Sequence, residues 1–143
     1  MSGWSVTKSI GPVTRTDIVR YAGASGDLNP IHHDEDYART AGVGGVFAMG
    51  MYPAGVVARV VADAFGAGNI RSFRARFDER VWPGDVLTIE GREAGSDGEL
   101  SELEFVVLRN RASRAVRCWA TVHVARPTPT ELDQSVPEGV THV

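Results

Sequence analysis

Between Met51 and Phe65 the chain carries Val56, Val57, Val60, Val61 and Ala64 at helical spacing, and small residues cover much of the remaining surface. Pro53 falls in the first turn, where its missing N–H removes no helical bond. Gly66 and Gly68 follow and end the periodicity. A helix this apolar around its circumference must be buried. Whatever else the chain does, it has to wrap this helix. The wider apolar stretch, 46–65, contains Arg59, Asp63 and Pro53 and is broken by Gly50, Ala54, Gly55 and Ala58. It therefore reads as a buried helix of a globular domain, not as the run of about 18 uninterrupted apolar residues that spans a bilayer.

The segments after this helix read as strands able to do the wrapping. Residues 70–77 alternate, with Arg71, Phe73, Ala75 and Phe77 on one side and Ser72, Arg74 and Arg76 on the other. Residues 81–93 include a Trp82-Pro83-Gly84-Asp85 turn, and Ser96-Asp97-Gly98 signals a hairpin into 100–110. Arg111-Ala112-Ser113 turns into 115–125. The lengths predict an antiparallel meander of these four segments. Before the helix, residues 4–10 suggest a short first strand. Thr14-Arg15-Thr16-Asp17 fits a capping box, with Ile18, Val19, Tyr21 and Ala22 following at helical spacing up to the glycine-rich 23–26. Asp34 can cap a short helix through Thr40. A helix on an antiparallel sheet is an α+β layer packing. The expected organisation is one domain over residues 1–126 and a loosely ordered tail over 127–143, which has three prolines and no apolar periodicity.

With 143 residues, 43% hydrophobic and 23% charged, the chain is globular in composition, and a net charge of −3 argues against a broad nucleic-acid footprint. The single cysteine, Cys118, allows no intrachain disulfide and sits in an apolar stretch as a core residue. The first ten residues lack the charged-then-apolar pattern of a secretory leader, so a cytoplasmic location is expected.

The chemistry is concentrated in Ser25-Gly26-Asp27-Leu28-Asn29-Pro30-Ile31-His32-His33-Asp34, a loop carrying two carboxylates, an amide and two imidazoles. A carboxylate and an imidazole close together can share a water and pass a proton in either direction, and imidazole suits this with its ordinary pKa near 6.5. The competing reading is an ordinary turn, since Asp and Asn before Pro bond local backbone. Adjacent residues such as His32 and His33 rarely converge on one ion, so no metal is expected. His33 is expected to point away from its neighbour.

Gly26-Asp27-Leu28-Asn29-Pro30-Ile31-His32 resembles the hydratase signature of the MaoC-like family, the (R)-specific enoyl-CoA hydratases and 3-hydroxyacyl dehydratases. The resemblance extends over about residues 12–126: the short helix from Asp34, the Gly50-Met51 opening of the long helix, Phe77, and Pro83-Gly84-Asp85. It implies a single hotdog domain, with the long central helix wrapped by a curved antiparallel sheet and the domains paired into a homodimer or a heterodimer with a sister chain. It implies a lyase that hydrates trans-2-enoyl thioesters to (3R)-hydroxyacyl thioesters, or reverses that step. No cofactor is expected, because coenzyme A or the phosphopantetheine of an acyl carrier protein arrives with the substrate. Asp27 and His32 would be the catalytic pair, Asn29 would orient the loop, and the Gly50 N–H would bond the thioester carbonyl. Met49 stands where the family has a His before Gly-Met, and Ala58 where some members have a Ser.

Two other readings stand beside this one. A hotdog acyl-CoA thioesterase would carry its carboxylate on the central helix, where Asp63 is the candidate. A non-catalytic partner subunit of a heterodimeric dehydratase would have no need of the Asp27–His32 pair. Arg74 and Arg76, with Arg71 and Arg80 nearby, are candidates for clamping coenzyme A phosphates. Trp4, Trp82 and Trp119 read as packing or interface residues, and His123, alternating with Val122 and Val124, as structural.

Overall fold

The computed structural model describes residues 3–124; the tail expected over 127–143 lies outside the described residues. Strand β1 (Ser5–Ile10) leads to helix α1 (Arg15–Ser25), helix α2 (Glu35–Thr40) and helix α3 (Met51–Phe65). Strands β2 (Ile70–Phe77), β3 (Leu87–Asp97), β4 (Leu100–Arg109) and β5 (Ser113–His123) follow. Among the described residues no helix is long and apolar enough to cross a membrane.

The local signals act as their chemistry dictates. Thr14 accepts from the Asp17 N–H while the Asp17 carboxylate accepts from the Thr14 N–H, closing the capping box at α1. The helix runs through Gly23 and Ala24 and stops only where Gly26, at φ 76°, supplies a left-handed cap. The Asp34 side chain accepts from the Tyr37 N–H and starts α2. Helix α3 has the bounds its periodicity predicts and ends at Gly66 with φ 84°.

The five strands form one antiparallel sheet in the order β1-β3-β4-β5-β2. This corrects the expected meander: only β3, β4 and β5 follow one another, while β2 lies on the far side of β5, in register from Phe77 opposite Val116 to Ile70 opposite Val122. The sheet edges are thus β1 and β2, the two strands that bracket the helices in sequence. Strand β3 begins at Leu87, not at Val81, because residues 81–86 are held in a turn. Gly84 has φ 94° there, and the Asp85 side chain caps the turn by accepting from the Trp82 N–H at 2.8 Å. Bulges between Ile70 and Ser72, Glu93 and Gly95, and Val107 and Leu108 interrupt the register, and each such interruption bends a strand and increases its twist. Helix α3 packs against β5 and β2. Val57, Val61 and Ala54 join Leu87, Ile89, Leu103, Phe105, Val107, Val116, Cys118 and Val122 in one core.

Candidate active site

The loop between α1 and α2 is shaped by its own side chains. The Asp27 N–H donates to Ser25 Oγ at 3.2 Å, the Asn29 N–H to Asp27 Oδ1 at 3.4 Å, and the Ile31 N–H to Asn29 Oδ1 at 3.1 Å. Asn29 thereby caps a single 3₁₀ turn at Pro30–His32, with Pro30 at its start. This turn swings the His32 ring inward, where it is 9% exposed, and leaves the Asp27 carboxylate 46% exposed. His32 Nε2 lies 3.7 Å from Asp27 Oδ2. That is too long for a direct hydrogen bond, but it lets both atoms reach one water from adjacent directions.

The orientation of His32 comes from a second segment. Its Nδ1 is 2.7 Å from the Phe47 carbonyl oxygen, and its ring meets the Phe47 ring edge-on at 4.9 Å. A carbonyl only accepts, so Nδ1 carries a hydrogen and Nε2 is the ring nitrogen turned toward Asp27. Sequence reasoning did not find Phe47, because a main-chain carbonyl leaves no signature in residue type. His33 turns elsewhere, with its Nε2 3.2 Å from the Leu28 carbonyl.

The segment that holds His32 also carries Gly50, the residue before α3, with helical φ −56° and ψ −36°. Among the described residues the Gly50 N–H has no protein acceptor. A side chain at this position would meet the Phe77 ring, whose Cδ1 lies 3.0 Å from where a Cβ would sit. Gly50, Phe47, Met49, Phe77, Val81 and Trp82 contribute to the lining of a cleft of about 610 Å³, with Arg80 and Arg109 also on its wall. Met49 is buried. Asp27 and His32 do not line the cleft themselves; His32 adjoins it through Phe47.

The arginines expected near coenzyme A have different partners. Arg74 stacks on Trp119 at 5.7 Å, Arg76 stands 4.0 Å from Asp78, Arg71 donates to the Gly68 carbonyl, and Arg80 lies 5.1 Å over the Phe47 ring. Hydrogen bonds from Arg117 and Arg114 hold the Asp78 carboxyl below its ordinary pKa, in spite of some desolvation. Asp63 pairs with Arg59 at 3.5 Å on the exposed side of α3. Trp4 packs edge-on against Phe65 and Phe105, and His123 pairs with Glu99 at 2.7 Å.

A helix wrapped by a five-stranded antiparallel sheet, with an Asp-His loop facing the start of that helix, defines the hotdog class. Residues 6–115 match the model of the MaoC like domain, and the chain belongs to the MaoC-like dehydratase family. It is 41% identical over 80 residues to the fatty acid synthase subunit beta of Aspergillus oryzae, covering 53% of this chain and 4% of that protein. It is 37% identical over 101 residues to 3-hydroxyacyl-thioester dehydratase Y of Mycobacterium tuberculosis, covering 59% of this chain and 35% of that one. The chain thus spans only a small part of these relatives. Its fold is similar to R-hydratase PhaJ1 from Pseudomonas aeruginosa, with a TM-score of 0.77 at 21% identity over 87% of this chain and 81% of that one. It is also similar to a chain of the ChsH1-ChsH2 complex from Mycobacterium tuberculosis, with a TM-score of 0.78 at 23% identity over 87% of this chain and 98% of that one.

Proposed function

We propose that the chain is an (R)-specific enoyl-thioester hydratase, working in either direction on coenzyme A or carrier-protein thioesters. The observation that carries this reading is the approach of Asp27 Oδ2 to His32 Nε2, on a ring whose orientation is set by the Phe47 carbonyl. A water between them donates one hydrogen to the carboxylate and one to the imidazole. As its oxygen bonds the β-carbon, an O–H bond breaks and the π electrons of the enoyl double bond shift toward the thioester, giving an enolate. The Gly50 N–H, at the start of α3, stabilises the enolate oxygen. The proton taken up by the pair is returned to the α-carbon on the same face, so hydrogen and hydroxyl add together and the product is the 3R alcohol. Dehydration runs the same steps backward. Asn29 acts by holding the loop. Arg74 and Arg76, exposed on β2, are the proposed phosphate contacts for the carrier group. No cofactor takes part in this scheme.

The thioesterase reading is weaker for a structural reason. The only carboxylate on α3 is Asp63, which is exposed and paired with Arg59. The ChsH1-ChsH2 complex, to one chain of which this fold is similar, supports the reading that this chain also works as a pair, either with itself or with a sister chain, and the same reading keeps the cytoplasmic location expected from the sequence. Crotonyl-CoA hydration, followed by loss of enoyl absorbance beside a free-thiol assay, tests the proposal. Hydration without thiol release is expected, and thiol release without hydration would replace this reading with the thioesterase.

A further inference from the structure

Three contacts tie the segment before α3 to the segment between β2 and β3. The Ala48 N–H donates to the Val81 carbonyl at 2.8 Å, the Phe47 and Trp82 rings pack at 5.8 Å, and the Arg80 guanidinium lies 5.1 Å over the Phe47 ring. Phe47 is the residue whose carbonyl and ring both hold His32. Among the described residues Arg80 makes no ion pair, whereas its neighbours are committed: Glu79 to Arg109, and Asp78 to Arg114 and Arg117. The Arg80 charge, otherwise exposed, thus lies against the Phe47 face. A cation over an aromatic face is held electrostatically and restricts the ring beneath it.

We propose that Arg80 is a positioning residue for His32, acting through Phe47. By fixing the Phe47 ring it keeps the Phe47 carbonyl on Nδ1, and so keeps Nε2 facing Asp27. This deepens the hydratase reading and rests on it for its kinetic consequence, but not for its structural one. If the ring is loosened, the imidazole samples the other tautomer and other tilts, and the fraction of molecules with a competent pair falls. Arg80 also stands on the wall of the cleft, so KM separates the two roles: a positioning residue lowers kcat and leaves KM nearly unchanged, whereas a substrate contact raises KM.

The test compares Arg80→Met, which keeps an unbranched stem and loses the charge, with Arg80→Lys, which keeps the charge, and with Phe47→Leu, which removes the ring and leaves the main-chain carbonyl. For Arg80→Met the expected result is a kcat lower by about three- to tenfold, in line with a single cation–π contact. KM should stay within about twofold, and Arg80→Lys should recover most of the loss. Independently of activity, the ¹⁵N shifts of the His32 ring should report an Nδ1–H tautomer in the wild type and a mixture in Arg80→Met and Phe47→Leu. An unchanged kcat together with unchanged His32 shifts in Arg80→Met overturns the proposal. So does a raised KM at constant kcat, which would make Arg80 a substrate contact. If the wild type hydrates no enoyl thioester, the functional reading fails instead, and the His32 shifts alone decide whether Arg80 positions the ring.

Discussion

Asp85 should be the most costly polar residue to alter outside the loop. Its side chain is almost fully buried and accepts four hydrogen bonds: from Arg109 Nε at 2.7 Å, Arg109 Nη2 at 3.4 Å, Asn110 Nδ2 at 2.9 Å and the Trp82 N–H at 2.8 Å. Burial alone would raise its pKa; the bonds from Arg109, Trp82 and Asn110 outweigh that and leave it below the ordinary value. Asp85→Asn keeps the shape but sets an amide against a guanidinium. Breaking a fully buried pair costs about 3–5 kcal/mol. Arg109 keeps 22% exposure and a second partner in Glu79, so the expected loss is about 2–3 kcal/mol. For a domain of this size that lowers the melting temperature by about 8–12 °C. The gap should depend on pH. A carboxyl with a lowered folded-state pKa contributes stability above its unfolded value, here 3.8, and loses it as the pH falls through the folded value. Calorimetry of both proteins from pH 7 down to about pH 2 should therefore show the two melting curves converging at the acid end. A loss below about 1 kcal/mol, or a gap that stays constant to the lowest pH, would refute this account of Asp85 as an ionised, buried anchor.

Asp27→Asn and His32→Ala should each lower hydration by about 10²- to 10⁴-fold; the double variant should be little worse, and His33→Ala nearly normal. Steady-state rates of the four proteins check this, and additive losses would mean the two groups do not act on one water. Gly91→Ala should cost about 2–4 kcal/mol in a denaturant titration, because its new methyl would collide with the buried Phe105 ring across the β3–β4 pair. Burial pushes the Cys118 thiol up to about 12, so a thiol reagent at pH 8 should label it only in denaturant; rapid labelling of the native protein would show that β5 opens.

What the sequence reveals and what it hides divide along one physical line. The bounds of α3, the capping box at Thr14 and the cap at Asp34 are legible because a helix and its caps are decided within four residues. The loop at 25–34 is legible because its polar side chains bond backbone two residues away. The place of β2 is not: alternation says that residues 70–77 form a strand, but its pairing with β5 depends on contacts more than 40 residues apart. The Trp82-Pro83-Gly84-Asp85 turn is legible in its residues, but its anchor is not, since that is Arg109 on another strand. Phe47 and the positioning role proposed for Arg80 are hidden more deeply still. One acts through a carbonyl that every residue possesses, and the other through a contact with no charge partner to suggest it.

The two members of the Asp27–His32 pair are held very differently, and under the proposed hydratase reading that difference suggests how the site would turn over. His32 is buried, bonded through Nδ1 and packed on a ring that is itself packed on Trp82. It is the fixed member, and its geometry exists before substrate arrives. Asp27 has one oxygen tied to the Asn29 N–H and the other facing both His32 and solvent, with nearly half of its side chain exposed. In water an exposed carboxylate is a weak base and its field is screened. An acyl thioester lying across the loop mouth, with its carbonyl on Gly50, would displace that solvent from one side of Asp27 only. The neighbouring Nε2 of His32 and the trapped water would then stand in a less polar setting, where each charge–dipole contact is stronger. On this argument substrate binding itself completes the site, and the bulk of the acyl group beside Asp27 should affect kcat as well as KM.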